Sequence, residues 1–173
     1  MNTIYFGGFR LSALIDVKMG GDLYSITNRY SHASGNHINT LEGRDGVGMG
    51  YNSGQGLEVS GVLGDGTPVN DVDPEAYWNA VVARNISAPF VYDASYVKLR
   101  ELSLGYSLPE SLVSQTPLSG VSLSVVGRNL AFLYNNVPGL DPESTYNVGN
   151  GQGIESGSIP STQSVGVSVQ VKF

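Results

Sequence analysis

The sequence predicts an all-β chain whose antiparallel strands form one wall of a large transmembrane β-barrel, with two long external loops. Three observations lead to this fold class. Four segments alternate apolar and polar residues, as strands do when only one of their faces lies in an apolar environment. The connections between them are long, short and long, as in outer-membrane barrels, where long loops lie outside and tight turns lie in the periplasm. Glycine and proline account for 23 and 8 of the 173 residues, so turns are frequent.

The last alternating segment gives the clearest strand. Polar residues or glycine occupy every second position from Ser164 to Lys172, and the positions between them are all apolar. The apolar face of this predicted C-terminal strand consists of Val165, Val167, Val169, Val171 and Phe173. The first segment, from Tyr5 to Lys18, alternates in the same way except at Leu14, so we expect one strand there as well.

The two middle segments, residues 96–108 and 121–134, each change phase partway along. A phase change means either a β-bulge or a strand that leaves its apolar surroundings, and the pattern alone does not distinguish them. The apolar positions before and after the change are Val97 and Leu99 against Leu102, Leu104, Tyr106 and Leu108, and Val121, Leu123 and Val125 against Leu130, Phe132 and Tyr134.

Two long connections and one short one join these segments. Residues 19–92 and 136–162 are polar and rich in glycine, and within the first we expect one short helix with Asp73 as its N-cap and Pro74 in its first turn. If the C-terminus lies in the periplasm, both long loops lie outside and the short link at residues 109–119 lies in the periplasm. This arrangement agrees with barrel topology.

Composition excludes several classes of protein. The net charge of −6 and the pI of 4.7 argue against a nucleic-acid partner. The lack of cysteine excludes disulfides and cysteine-bound metals. No apolar run approaches the roughly 20 residues of a membrane-spanning helix. The N-terminus lacks the basic segment of a signal peptide, so we expect either a cytosolic protein or a piece of a longer one.

The residue patterns predict no enzyme, cofactor or metal site. A Gly-x-Ser-x-Gly nucleophile motif does not occur, and the glycine clusters at residues 46–50 and 149–153 lack dinucleotide-binding spacing, so they are interpreted as flexible loop. His32 and His37 are expected in a solvated loop rather than as metal ligands. The acidic residues between 65 and 75 lack the glycine of an EF-hand, and whether they bind calcium stays open; they are Asp65, Asp71, Asp73 and Glu75.

Four blocks of the chain resemble, in the same order, the C-terminal part of the SusC/RagA family of TonB-linked outer-membrane nutrient transporters. The most specific block is YDASYVKLRELSLGYSLP at residues 92–109. The others are residues 9–25, residues 127–130 with 138–143, and the closing strand that ends in phenylalanine. The positions that carry the resemblance are Gly20, Gly21, Leu99, Arg100, Leu104, Gly105, Tyr106, Pro109, Asn129, Leu130, Asp141, Pro142 and Glu143.

The resemblance implies that residues 1–173 are the C-terminal segment of an outer-membrane barrel, without plug domain or signal peptide and not active alone. It implies a TonB-energised importer of glycans or peptides, with no enzymatic activity and no cofactor. The implied partners are the rest of the barrel and the plug, a SusD-like lipoprotein, the TonB complex and membrane lipid. The closing strand resembles the signal that the barrel-assembly machinery recognises.

Aromatic residues divide into two groups under this interpretation. Those near strand ends fit an interfacial aromatic girdle: Tyr106, Phe132, Tyr134 and Phe173. Those in the loops could contact sugars or the lipoprotein, but packing of the loops is the favoured interpretation; they are Tyr24, Tyr30, Tyr51, Tyr77, Trp78 and Tyr146.

A soluble all-β sugar-binding module is the alternative from a different class. The mean hydropathy of −0.05 and the tyrosines in the loops are compatible with it. The long loops and the small number of strands argue against it, since a sandwich needs about seven short strands.

Overall fold

A computed structural model describes residues 1–44, 56–144 and 149–173, and strands dominate it. The predicted fold class, an all-β chain of antiparallel strands, is confirmed. The elements in chain order are β1 Asn2–Phe6, β2 Phe9–Lys18, β3 Asp22–Ser25, α1 Ile26–Ala33, β4 Leu57–Val62, β5 Pro68–Val72, α2 Pro74–Ala83, β6 Val91–Asp93, β7 Tyr96–Ser107, α3 Glu110–Val113, β8 Gly120–Asn135, β9 Ile154–Glu155 and β10 Ser164–Lys172, with 3-10 turns at Ile38–Leu41 and Ala88–Phe90.

The chain divides into two compact units. The wall unit contains Met1–Gly21, Asp93–Ser144 and Ile159–Phe173, and the loop unit contains Asp22–Tyr92 and Thr145–Ser158. The wall unit holds a five-stranded antiparallel sheet in the order β1-β2-β7-β8-β10. Among the described residues, no helix is long and apolar enough to cross a membrane.

The first alternating segment forms two strands, and not the single strand from Tyr5 to Lys18 that its pattern predicts. Gly7 and Gly8 have φ angles of +53° and +86°, and they form the tight turn that joins β1 to β2. Two adjacent residues with positive φ match the twist of a β-hairpin, and glycine adopts that conformation without strain. The wall sheet therefore has five strands where the alternation predicts four.

The register of the wall sheet collects its apolar residues on one face. Leu11, Leu104, Val125 and Val167 are cross-strand partners on four adjacent strands, and all four side chains are exposed. At the next register level the partners are polar or small, because successive side chains point to opposite faces; they are Arg10, Gly105, Ser124 and Ser168. The sheet thus has a polar face and an uncovered apolar face.

The phase changes in β7 and β8 are β-bulges. The pairing of these strands shifts between Leu99 and Glu101, and β2 shifts at the same level, next to Leu14. On β8 the irregularity includes Asn129, whose φ is +52°. Both strands continue beyond the bulge within the sheet, so the structure decides between the two possibilities that the sequence leaves open.

The loop unit contains more regular structure than its polar sequence predicts. The expected helix is present as α2, and Asp73 caps it by accepting a hydrogen bond of 2.7 Å from the backbone N–H of Ala76. Helix α1, by contrast, is not predicted by the sequence pattern. Strand β3 lies between β6 and β9 and pairs in parallel with β9, while β4 and β5 form a separate hairpin.

His32 belongs to the interior of the loop unit and His37 is half-buried beside it, so the prediction that they lie in a solvated loop is wrong. His32 is only 3% exposed, and its ring stacks on that of His37 with 3.9 Å between the ring centroids. The rings of Trp78 and Phe90 lie 4.4 and 5.3 Å from His32. Side chains from distant parts of the chain thus bury it, which local sequence cannot show.

The remaining loop features have local roles. Asp65 accepts a hydrogen bond of 2.9 Å from the backbone N–H of Thr67 at the tip of the β4–β5 hairpin. The glycine cluster at residues 149–153 forms a turn that precedes β9, with the Gly153 carbonyl accepting from the backbone N–H of Tyr24. The cluster at residues 46–50 lies outside the described residues, as do Tyr51 and Tyr146.

Candidate functional site

A cluster of charged and polar side chains lies on the polar face of the wall sheet, close to the bulge. Strand β2 contributes one carboxylate and β7 contributes a phenol and two cations, while two carboxylates follow β8 and a serine precedes β10. We call this set the charge cluster. Its members are Asp16, Tyr96, Lys98, Arg100, Asp141, Glu143 and Ser161.

Lys98 is the most buried member of the charge cluster, with a side chain only 2% exposed. Its Nζ donates hydrogen bonds to Glu143 Oε2 at 2.7 Å, to Ser161 Oγ at 2.5 Å and to Asp141 Oδ2 at 3.5 Å. The Phe132 ring packs over the same atom, 4.4 Å from Nζ to the ring centroid. The three N–H groups of the ammonium thus have three oxygen partners, which is the condition for burying such a charge.

Arg100 lies at the β7 bulge, and its guanidinium bridges two carboxylates. Nε and Nη2 donate to Asp16 Oδ2 at 3.0 and 2.6 Å. Nη1 donates to Glu143 Oε2 at 2.8 Å, and Nη2 also donates to Glu143 Oε1. The planar guanidinium thus binds two carboxylates at once through N–H groups in a fixed arrangement. The ammonium group of a lysine cannot reproduce this geometry. The Tyr96 hydroxyl donates to Glu143 Oε1 at 3.0 Å.

The turn formed by Asp141, Pro142 and Glu143 presents its two carboxylates to these cations. Asp141 Oδ1 accepts from the backbone N–H of Glu143 at 2.9 Å, and the Pro142 ring is fully buried. Burial acts to raise the pKa of Asp141, but hydrogen bonds from Ser161 and Glu143 and the charge of Lys98 outweigh it and hold that pKa below its usual value. The pKa of Glu143 is likewise lowered, because hydrogen bonds from Arg100, Lys98 and Tyr96 outweigh burial.

The hydrogen bonds of the charge cluster connect segments that lie far apart in the chain. A serine beside a lysine could form a nucleophile and its base, but here Lys98 donates to Ser161. The Ser161 hydroxyl donates in turn to Asp141 Oδ2 at 2.5 Å, and its backbone N–H donates to the same oxygen at 3.1 Å. The bonds instead fasten the segments after β8 and before β10 to strands β2 and β7.

Several of the positions that carry the resemblance come together at this cluster. Arg100, Asp141, Pro142 and Glu143 belong to it directly, and Asn129 Oδ1 lies 3.5 Å from Arg100 Nη1. Leu99 precedes the bulge on the apolar face. Leu130 folds over Gly127, where a Cβ would come within 2.7 Å of the leucine Cδ2 atom.

The other positions lie elsewhere in the wall unit. Gly20 and Gly21 have φ angles of +79° and +89° and follow β2, where the Gly20 N–H donates to Ser95 Oγ at 2.8 Å. Towards the opposite end of the sheet, the Tyr106 ring packs against Phe9 at 4.6 Å, and Pro109 precedes α3. Leu104 and Gly105 lie between these two ends of β7. The apolar side chains of β10 are exposed: Val165, Val167, Val169, Val171 and Phe173.

Sequence reasoning missed four members of the charge cluster: Asp16, Tyr96, Lys98 and Ser161. Two of them, Asp16 and Lys98, could have been found from the sequence. Each is a charged residue at a polar position of a strand that alternates apolar and polar residues. Phe132 was expected in an aromatic girdle, but that prediction is wrong. The bulge places its ring on the polar face, opposite Lys98.

Comparisons with known proteins agree with this architecture, although no family model matches the chain. Two proteins of Formosa agariphila show sequence similarity. TonB-dependent receptor P3 is 40% identical over 100 residues, which are 54% of this chain and 10% of the relative. TonB-dependent receptor P26 is 24% identical over 179 residues, which are 99% of this chain and 16% of the relative. The chain thus spans between 10% and 16% of the length of these relatives.

Solved structures share the fold. The RagAB peptide transporter matches with a TM-score of 0.58 and 20% identity over 96% of this chain and 16% of the matched one. The RagAB peptide importer in its open-open state gives a TM-score of 0.55 and 21% identity, with the same coverage. The class that these findings define is that of TonB-dependent receptors, to which the chain is similar in sequence. In fold, it is similar to one segment of the RagAB transporter.

Proposed function

We propose that this chain forms the C-terminal part of the barrel of an outer-membrane nutrient importer of SusC/RagA type. Its wall unit would lie in the membrane, and its loop unit would belong to the external loops. Similarity to two TonB-dependent receptors and the fold shared with RagAB support this proposal.

The observation that carries the proposal is the uncovered apolar face of the wall sheet. Apolar side chains follow one another across β2, β7, β8 and β10, and they are exposed on every strand. A contiguous apolar patch of this extent is unusual on a soluble monomer, but it is the ordinary outer surface of a transmembrane barrel. The polar residues on the opposite face would then line the interior.

The energy source, substrate and partners follow from the same proposal. TonB would supply the energy, through a part of the importer outside these residues. The matched structures are those of a peptide importer, so a peptide is one proposed cargo. The resemblance to the SusC/RagA family adds a glycan as the other. A SusD-like lipoprotein is the proposed external partner, and the remaining strands and the plug are the partners within the barrel.

The charge cluster has a definite role in this arrangement. The segment after β8 begins the second predicted external loop, and the cluster fixes both ends of that loop to the wall. An anchored loop keeps a fixed entrance while cargo passes beside it. The chain itself supplies wall and loops, and its open sheet edges would need further strands before a pore is enclosed.

The experiment that tests the proposal compares the full chain in aqueous buffer and in detergent. Partition between the two phases and circular dichroism on both fractions are the measurements. We expect β-structure in detergent or lipid only, because the apolar face needs an apolar environment. A monodisperse chain that melts cooperatively in plain buffer would contradict the proposal and favour the soluble sugar-binding module.

A further inference from the structure

The β4–β5 hairpin of the loop unit has features of a docking arm, and we call residues 57–72 the arm. Its two strands pair with each other as a two-stranded sheet. An isolated two-stranded hairpin is only marginally stable in water.

The base of the arm is clamped by two glycines. A Cβ on Gly43 would overlap the backbone of Gly56 and Leu57, and a Cβ on Gly56 would lie 2.9 Å from the carbonyl oxygen of Val72. Both glycines have positive φ, at +76° and +78°. Leu57 at the base is buried. This close backbone packing fixes the position from which the arm leaves the unit.

The tip of the arm is apolar and open to solvent. Val62 is 71% exposed and Leu63 is 54% exposed, and both precede the turn that Asp65 caps. Burial thus decreases from the base to the tip, where two adjacent apolar side chains have no cover. The position of an exposed pair at the end of a clamped hairpin favours insertion into a complementary socket.

The charge of the arm limits what that socket can belong to. The arm carries three acidic residues and no basic one, and all three side chains are exposed. The backbone N–H of Thr67 lowers the pKa of Asp65, which keeps that carboxylate charged. A second copy of this chain, with its net charge of −6, would be repelled, and so would an anionic membrane surface. The acidic residues are Glu58, Asp65 and Asp71.

We infer that the arm is a protein-docking element, which inserts Val62 and Leu63 into an apolar socket rimmed by lysine or arginine on a partner protein. Neither the wall unit nor the importer function enters this inference, so it stands or fails separately from the proposed function. The apolar tip supplies the binding energy, and the acidic flanks supply attraction and orientation.

The test uses the full chain in detergent and a labelled peptide of alternating lysine and leucine. The measurement is amide hydrogen exchange across residues 57–72, because this localises binding even when the peptide also enters micelles. At a peptide concentration ten times its Kd, exchange in the arm should slow by about tenfold. A lysine–serine peptide and a glutamate–leucine peptide of equal length separate charge from apolar contact, and both should protect the arm less.

Variants locate the contact. Val62→Ser with Leu63→Ser should abolish the protection, while Ile86→Ser, at another exposed apolar position of the same unit, should leave it unchanged. Unaltered exchange of the α2 amides shows that the doubly substituted chain is folded. Equal protection by the glutamate–leucine peptide, unchanged protection in the double variant, or no protection of the arm by the lysine–leucine peptide would each overturn the inference.

Discussion

At the scale of single residues, Lys98 is the side chain on which the charge cluster depends most. Its replacement by methionine leaves Asp141, only 5% exposed, and Glu143 without their shared cation. Breaking a buried ion pair by removing one partner costs about 3–5 kcal/mol. We expect Lys98→Met to lower the free energy of unfolding by an amount in that range, measured by urea denaturation in detergent and followed by circular dichroism.

The matched control for Lys98→Met is Arg128→Met on the neighbouring strand. Arg128 also pairs with a carboxylate, Glu101, at 3.0 Å, but its own side chain is 66% exposed. Exposed pairs contribute about 0–1 kcal/mol, so this substitution should be close to neutral. Equal losses in the two variants would show that burial of the cluster contributes nothing.

The stacked histidines predict a pH dependence confined to the loop unit. Burial lowers the pKa of both imidazoles, and for His37 the charge of His32 lowers it further. The unfolded chain, with an ordinary pKa of 6.5, therefore binds protons more readily than the folded one. The contribution of the two histidines to the free energy of unfolding is therefore complete above pH 6.5 and is lost as the pH falls below that value. The protection factors of the α1 amides, which are corrected for the pH dependence of intrinsic exchange, should therefore fall between pH 7 and pH 5.

A variant without titratable rings tests this cause. His37 Nδ1 accepts a hydrogen bond from the Asn39 N–H, and His32 Nδ1 bonds to the Asn28 carbonyl. Asparagine can replace both contacts without gaining a proton, so His32→Asn with His37→Asn should remove the pH dependence. Arg44, Asp73 and Glu75 line the same cavity as His32, and a dependence that persists in the variant would be assigned to them.

At the scale of elements, the bulge in β8 makes a prediction about Asn129. Its φ of +52° is costly for most residues, by about 1–2 kcal/mol, and least costly for glycine and asparagine. Asn129→Val should therefore destabilise the wall unit by at least this amount, while Asn129→Gly should lose only the side-chain bonds to the Thr162 carbonyl and to Arg100. Urea denaturation in detergent measures both, and equal effects would contradict a backbone cause.

The elements also show which parts of the fold can be predicted from sequence. Strand β10 is predictable because its side chains point alternately to an apolar and a polar environment. The alternation of apolar and polar residues in its sequence therefore indicates both the strand and its two faces. The loop unit is not, because β3 pairs with β9 across more than a hundred residues and α1 buries His32 against Trp78. The β1–β2 turn lies between these cases. Its Gly-Gly pair was a local signal, but the alternation on both sides suggested one strand.

The charge cluster is partly predictable for the same reason. The family resemblance predicts that Arg100 and the Asp141–Glu143 turn are important, but it does not predict that they lie together. What brings them together is the bulge, since it turns Arg100 and Phe132 to the polar face of the sheet. A bulge changes the phase of a strand visibly in the sequence, but its side-chain partners are set by strand pairing.

At the scale of the whole molecule, the decisive property is the difference between the two faces of the wall sheet. Val167 lies on the apolar face of β10 and is 74% exposed, and Ser168 lies on the opposite face of the same strand. If the apolar face meets lipid, Val167→Lys should cost about 2–4 kcal/mol near the middle of the membrane, and Ser168→Lys should cost little. The measurement is the fraction of refolded chain that enters lipid vesicles. In a soluble module, a lysine at an exposed valine would be harmless or would improve solubility, so equal behaviour of the two variants would contradict a membrane-facing wall.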